Sequence, residues 1–238
     1  MLWGTLRRPR RGPRHALTSE QIVAAAVRIA DADRDLAPLS MRRVAESLGV
    51  GTMSLYTYVA SRAELLEAML DSVHGEVVAR LEKDGATGWR EALRAVADAN
   101  RAMYLRHPWM LQAFTGRPPL GPHTLAKYDR ELRALDGIGL TGLQMDAALT
   151  LVLTHVEGVV RRRVEAERAA QRSGMTDAQW WKAAAPALSE VFDPARFPVA
   201  GRVGRAAGEA HQAAFDVEHE YAFGLDRLIE GLATLVKD

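Results

Sequence analysis

The sequence predicts an all-α protein, and three observations predict it. Apolar residues recur at helical spacing along almost the whole chain, strand-like alternation is nearly absent, and Thr or Ser followed three places on by Gln or Glu marks two helix starts. With 238 residues and 48% apolar content, the chain can hold one large or two small packed domains. The pattern divides it into a basic arm at 1–16, a three-helix unit carrying a helix-turn-helix at 17–62, and a larger helical domain at 63–238.

The arm gathers Arg7, Arg8, Arg10, Arg11 and Arg14 in a stretch broken by Pro and Gly, which predicts disorder rather than helix. A solvated tail without a partner has the same composition. The first helix opens at Thr18, which can cap while Gln21 returns the bond and Leu17 staples to Ile22; it runs to about Asp33. Ile22, Ala25, Ala26 and Ile29 give it one buried stripe.

Residues 40–62 carry the helix-turn-helix. Met41, Val44, Ala45 and Leu48 form an apolar face at helical period, and Ala45 is small enough to let a second helix cross close above it. Gly49 ends that helix, because a residue without Cβ accepts the left-handed conformation a tight turn needs. Leu55 and Val59 repeat the spacing on the second helix, leaving Thr52, Met53, Ser54, Thr57 and Tyr58 on its other faces, where some can meet a groove.

A plain helical hairpin shares this spacing, and charge separates the two readings. Arg42 and Arg43 stand in the first turn of the leading helix, where positive charge opposes the helix dipole, so phosphate contact accounts for them better than stability. Residues 1–62 hold ten Arg against five Asp or Glu, so the remainder carries −4 within a whole-chain charge of +1. A basic first quarter beside an acidic remainder is the footprint of a phosphate-neutralising unit joined to one with another task.

A second capping pair, Ser61 and Glu64, opens a long helix through about Leu81, with Arg62 at its start. That helix begins against the reader and ends in the larger domain, which makes it a lever between them. Helical periods then cover about 89–106, 108–115, 122–137, 143–171 and 207–236. Residues 173–206, with Gly174, Pro186, Pro194, Pro198, Gly201 and Gly204, are predicted as a long connection holding one short helix near 177–185. Ala147, Leu151, Gly158, Ala214, Gly224, Leu228 and Leu232 give the two long helices at 143–171 and 207–236 small and apolar faces, suited to a four-helix interface between two copies.

Several classes are excluded. No Cys is present, which removes disulfides, thiolate zinc sites and cysteine nucleophiles, and is consistent with a reducing cytoplasm. No apolar run approaches the ~20 residues of a spanning helix, so no membrane partner is expected. Gly137, Gly139 and Gly142 match a dinucleotide fingerprint by spacing alone, without the strand that must precede it. His155, Glu157, His211 and His219 lack metal-ligand spacing, and no nucleophile–base pair stands out, so neither metal, cofactor nor enzyme activity is expected.

The stretch LSMRRVAESLGVGTMSLYTYVASRAELLEAM resembles the DNA-binding domain of tetracycline-repressor (TetR) family regulators, a resemblance that covers roughly residues 15–75. From HPWMLQAFTGRPPL to FGLDRLIEGL the chain resembles, more loosely, the ligand-binding and dimerisation domain of the branch nearest the tetracycline repressors. The resemblance implies a homodimer that represses transcription and leaves its operator when a small molecule enters the C-terminal domain. It also implies that Arg42, Thr52, Met53 and Ser54 face bases, that Tyr56 and Tyr58 touch phosphate or thymine, and that Arg62 holds a phosphate. Thr57 and Tyr58 stand where these repressors commonly carry Trp and His, and Arg62 replaces a common Lys, so the operator sequence does not transfer. Gln112, Ala113 and Phe114 occupy the neighbourhood of a metal-coordinating His, which argues against a tetracycline–magnesium inducer.

Met103, Tyr104, His107, Trp109, Met110 and Phe114 combine aromatics with flexible thioethers ahead of Pro118 and Pro119, a composition that can line an adaptable apolar cavity or simply fill a core. With the family in view they are ligand-wall candidates, followed by Tyr128, Leu151 and His155 and by the adjacent Trp180 and Trp181. The expectation is a cytoplasmic, nucleoid-associated repressor that binds a near-palindromic double-stranded operator as a homodimer and is released by a small molecule of apolar or aromatic character. The competing reading is a nonspecific architectural DNA-binding protein.

Overall fold

A computed structural model describes residues 17–113, 118–213 and 215–236; the predicted arm, Phe114 and Ala214 lie outside the described residues. Among the described residues the chain is all-helical, with α1 (Ser19–Asp33), α2 (Met41–Leu48), α3 (Thr52–Leu55), α4 (Arg62–Leu81) and α5 (Trp89–Arg106). A 3-10 helix (Pro108–Gln112) follows, then α6 (Pro122–Leu132), α7 (Gly142–Ser173), α8 (Asp177–Val191), α9 (Pro198–His211) and α10 (Val217–Ala233).

The first helices form for the reasons their sequences give. Thr18 accepts the Gln21 amide at 3.2 Å while Gln21 Oε1 accepts the Thr18 amide at 2.9 Å, closing a capping box on α1. Ser40 caps α2, and Gly49 ends it at φ 66°. α1 stops at Arg34, which takes φ 52° in a place where glycine is preferred, a backbone cost of roughly 1 kcal/mol. Ser61 caps α4, whereas Glu64 accepts the amide of Ala60 at 2.7 Å rather than that of the cap itself.

The second half departs from the sequence reading. Residues 173–206 hold two helices instead of a long connection: Thr176 and Gln179 close a capping box that starts α8, and Pro198 lies in the first turn of α9, where a missing N–H breaks no bond. α10 begins at Val217, not near 207, because Gln212 turns left-handed at φ 51° to end α9 and Asp216 caps a new helix. α6 stops at Leu132 and the 3-10 helix at Gln112, each short of its predicted end.

α7 is the centre of the body. Val152, Val156, Val160 and Val164 are buried along it, and α5, α6 and α10 pack around that side. Contrary to the sequence reading, this helix is long and apolar enough to cross a membrane by length and composition; 33% of that apolar window is buried inside the body, while Leu143 and Leu151 are exposed. α10 approaches closely: a Cβ at Gly224 would lie 2.2 Å from His155 Cε1, so His155 occupies the place of a side chain and stacks on Tyr221. α8 and α9 contain no buried residue; they touch each other through Trp181 beside Gly208 and Phe192 beside Gly201, with Trp180 left exposed.

α4 and α6 are joined by buried polar groups. Asp71 of α4 accepts the Thr124 amide and hydroxyl, each at 2.8 Å, which satisfies the start of α6. The Asp71 carboxylate lies so close to the backbone before α6 that a Cβ at Gly121 would fall 2.1 Å from its Oδ1. Because the Thr124 hydroxyl donates to Asp71, it accepts from His74 Nδ1 at 2.9 Å, fixing that tautomer. Farther along α6, buried Lys127 and Glu131 pair at 2.7 Å, and Asn100 of α5 donates to Glu131 at 2.6 Å.

Burial, reinforced by the Lys127 charge, lowers His74 to about 3. The native state therefore leaves His74 neutral while the unfolded chain protonates it below its ordinary value of 6.5, so this group withdraws stability as pH falls from 6.5 towards 3. The full slope is about 1.4 kcal/mol per pH unit. His74→Asn, which keeps a donor for Thr124, should flatten the acid limb of urea midpoints measured between pH 7 and pH 4. An unchanged limb would mean that other groups dominate it.

Candidate DNA interface and its joint to the helical body

The reader is built on a helix too short to stand alone. Leu55 and Val59 are fully buried against the α1, α2 and α4 core, and the amides of Tyr58 and Val59 bond Leu55 O at 2.9 Å, which carries the helical track three residues beyond α3. Met53 is 79% exposed, and Ser54, Tyr56 and Thr57 are exposed beside it; Thr52 and Tyr58 are half-buried. This places Met53, Ser54, Tyr56 and Thr57 where a groove can meet them. Arg42 stands on the same unit, largely exposed, and pairs with Glu46 one turn on at 2.7 Å.

Two of the predicted phosphate ligands have work inside the protein. Arg43 binds both carboxylate oxygens of Asp33 at the end of α1, so the first-turn charge that seemed without a stabilising role has one. Arg62 donates from Nε to Leu39 O at 3.1 Å and from Nη2 to Leu36 O at 2.9 Å, tying the α1–α2 loop to the start of α4. Sequence spacing did not reveal either partner, because both pairings depend on tertiary approach.

The reader meets the body through one shared carboxylate. Asp31 Oδ1 of α1 accepts Trp109 Nε1 at 2.7 Å and faces His107 Nδ1 at 2.7 Å, while His107 Nε2 lies 3.3 Å from Glu76 of α4. Trp109 is completely buried, and Met110, Leu111 and Ala113 close the same face. Burial of the indole and its apolar neighbours, about 1.5–3 kcal/mol per large side chain, makes the inner part of the joint dry, while the Asp31 and Glu76 carboxylates at its edge keep contact with solvent.

The ligand-wall candidates fall in separate places. His107, Trp109 and Met110 are at this joint; Met103 lies in α5, where it lines a groove of about 450 Å³ against α4 with Val77, Ala99 and Ala102. Tyr128 is on the surface, donating to Asp146 at 2.8 Å. Leu151 is half-exposed on α7, and His155 packs on α10, its Nε2 3.1 Å from Tyr221 O. The groups that sequence reasoning missed are the buried polar ones between α5 and α6, Asn100, Lys127 and Glu131; the candidate Tyr104 lies near them on α5, its hydroxyl pushed up first by burial and next by Glu157. Asn100 offered a signal, since it interrupts the apolar stripe of Leu93, Val96, Ala97 and Met103; Lys127 and Glu131 offered none, because their spacing of four is also that of any solvated helix pair.

Comparison with known proteins agrees with this architecture. Residues 81–236 match the family model described as tetracyclin repressor-like, C-terminal domain. The HTH-type transcriptional repressor DrrR1 of Streptomyces coeruleorubidus is 42% identical over 238 residues, covering 99% of this chain and 84% of its own. Among solved structures, ActR of Streptomyces coelicolor in complex with actinorhodin superposes with a TM-score of 0.76 at 26% identity, over 94% of this chain and 99% of that one. The same protein with (S)-DNPA gives 0.71 at 27% identity, over 92% and 98%.

Trp109→Phe keeps the ring volume near the joint but leaves Asp31 without its indole donor, and should cost about 1–3 kcal/mol in urea denaturation. A loss below about 0.5 kcal/mol would show that solvent replaces the bond at no penalty.

Proposed function

The chain belongs to the tetracycline-repressor (TetR) family, and from that premise we propose that it is a transcriptional repressor that binds a near-palindromic operator as a homodimer and is released by a small molecule. The observation that carries this reading is the reader itself, a braced helix-turn-helix with Met53, Ser54, Tyr56, Thr57 and Arg42 turned outward. Residues 17–62 are its reading unit, the arginine-rich segment at 1–16 adds phosphate contacts, and 63–238 is the sensing and dimerising body. Thr52 and Tyr58 flank the base-facing residues. Arg43 and Arg62 stand at the rim, where charge not spent on Asp33 and the loop carbonyls favours phosphate.

Dimerisation through α7 and α10 is supported by what these helices leave uncovered. Leu143 and Leu151 on α7, Phe223 on α10 and Leu235 in the turn just after it are exposed apolar side chains, and the exposed Ala147, Gly158 and Gly231 allow close approach. Two copies joined across such a face carry two readers, which must sit about 34 Å apart to enter successive major grooves.

For the inducer, a molecule of apolar or aromatic character is proposed, with Met103 beside the α4–α5 groove as its first wall candidate and His107, Trp109 and Met110 at the joint to relay its binding to the reader. Tyr128, Leu151 and His155, which do not share that wall, and Phe114 are further candidates. Support comes from ActR, whose structures hold actinorhodin and (S)-DNPA. Moving operator occupancy from 99:1 to 1:99 takes about 10⁴-fold differential affinity, so the inducer must bind the free form far more tightly than the DNA-bound form.

Sequencing of genome fragments that survive competitor DNA at physiological salt tests the reading: one shared near-palindrome is expected, whereas scattered recovery would favour a nonspecific architectural protein. Arg42→Ala should weaken the recovered site by about 1–3 kcal/mol and random DNA by much less; equal losses would remove its base-reading role. Phe223→Glu should shift sedimentation towards monomers at micromolar concentration, and an unchanged dimer would place the interface elsewhere.

A further inference from the structure

The loop between α1 and α2, residues 34–40, is held on two sides of different character. On one side lie the dry joint at Trp109 and the Arg62 tether. On the other, the loop meets α7 through polar and charged groups across an open groove of about 370 Å³ lined by Asp33, Arg34, Asp35, Val164, Glu167 and Arg168 among others. Arg34 Nη2 reaches Glu167 Oε2 at 2.8 Å. Arg168 Nη2 donates to Arg34 O at 3.2 Å and lies 3.7 Å from Asp35 Oδ2. The Gln112 amide stands between them, donating to Asp35 Oδ1 at 3.0 Å and accepting from Arg168.

This contact is anchored beyond α7. Glu167 also accepts from Arg163 Nε at 3.1 Å; Arg163 Nη1 reaches Glu218 at 2.7 Å in the first turn of α10, and Arg101 of α5 binds the same carboxylate. Arg34 itself occupies a left-handed backbone position that glycine would fill without strain, so its side chain is retained there at a conformational cost. Exposed pairs of this kind are each worth about fivefold at most in an equilibrium, and a dimer holds the contact twice, so their effects multiply on a two-reader site while each contact stays adjustable.

We propose that Arg34, Glu167 and Arg168 are positioning residues that set the angle of the reader against α7, and thereby the half-site spacing that the dimer accepts. The dry joint acts as the hinge and the charged contact as its stop. Each base pair adds a rise of about 3.4 Å, so a small tilt of each reader puts the pair out of register. The inference rests on the operator-reading function proposed above and concerns its specificity.

The test uses the near-palindrome recovered by the native protein, rebuilt with its half-sites one base pair closer, one base pair farther apart, and as an isolated half-site. Each DNA is titrated with the full-length native chain, Arg34→Gly and Glu167→Gln. Arg34→Gly suits the backbone at that position, so loss of stability does not confound it, and thermal unfolding checks this. The native chain should disfavour altered spacings by about tenfold or more, while both variants bind the native spacing about three- to tenfold more weakly, lose most of the discrimination, and bind the half-site normally. Native-like discrimination in both variants overturns the clamp, as does an equal loss on the isolated half-site, which would place the defect in the reader. A native chain indifferent to spacing would instead remove the operator reading itself.

Discussion

A helix of four residues cannot hold itself together in water, because forming its first turn fixes several backbone dihedrals for a single hydrogen bond. α3 is such a helix, and the positioning of the reader depends on supplying from outside the order that it lacks. Leu55 and Val59 fasten its inner side to the core, Gly49 sets the corner before it, and Arg43 and Arg62 fix the preceding elements by bonding Asp33 and two loop carbonyls. The outward residues can therefore be polar, small or flexible, since none of them is needed to keep the helix folded.

The same economy of contacts shapes the boundary between reader and body. Asp31 is placed to accept two donors from the far side of the boundary, one of them the fully buried indole of Trp109, so this point resists sliding. The α7 side has exposed charges and a groove, where small displacements change distances without opening a cavity. A rigid point paired with a compliant one converts movement of the body into rotation of the reader rather than separation from it. The buried Asp71, Lys127 and Glu131 and the half-buried His74 add directional constraints along α4 and α6, where apolar packing alone tolerates sliding.

The parts legible in the sequence are those governed by local rules. Caps at Thr18 and Ser61, the glycine at 49 and the spacing of Met41, Val44 and Ala45 each act within a few residues, and these elements formed as expected. Pro198 misled because proline breaks a helix in its interior but starts one in its first turn, and composition does not distinguish the two. His107 and Trp109 have the chemistry of a ligand wall and the location of a joint; the partner that reveals this, Asp31, lies 76 and 78 residues away. Arg43 and Arg62 are similar cases, basic residues whose carbonyl and carboxylate partners only the folded chain supplies.

The hairpin of α8 and α9 contributes no buried residue to the core, and its own contacts are ring against glycine. Substitutions on its outer surface therefore fall outside the main folding constraint, where most changes shift stability by no more than about 0.5 kcal/mol. In evolutionary terms it is a segment in which sequence can drift, lengthen or acquire new side chains while the reader and the α7 core stay under selection. A regulator descended from this one can thus change what its surface meets without first having to survive a loss of fold.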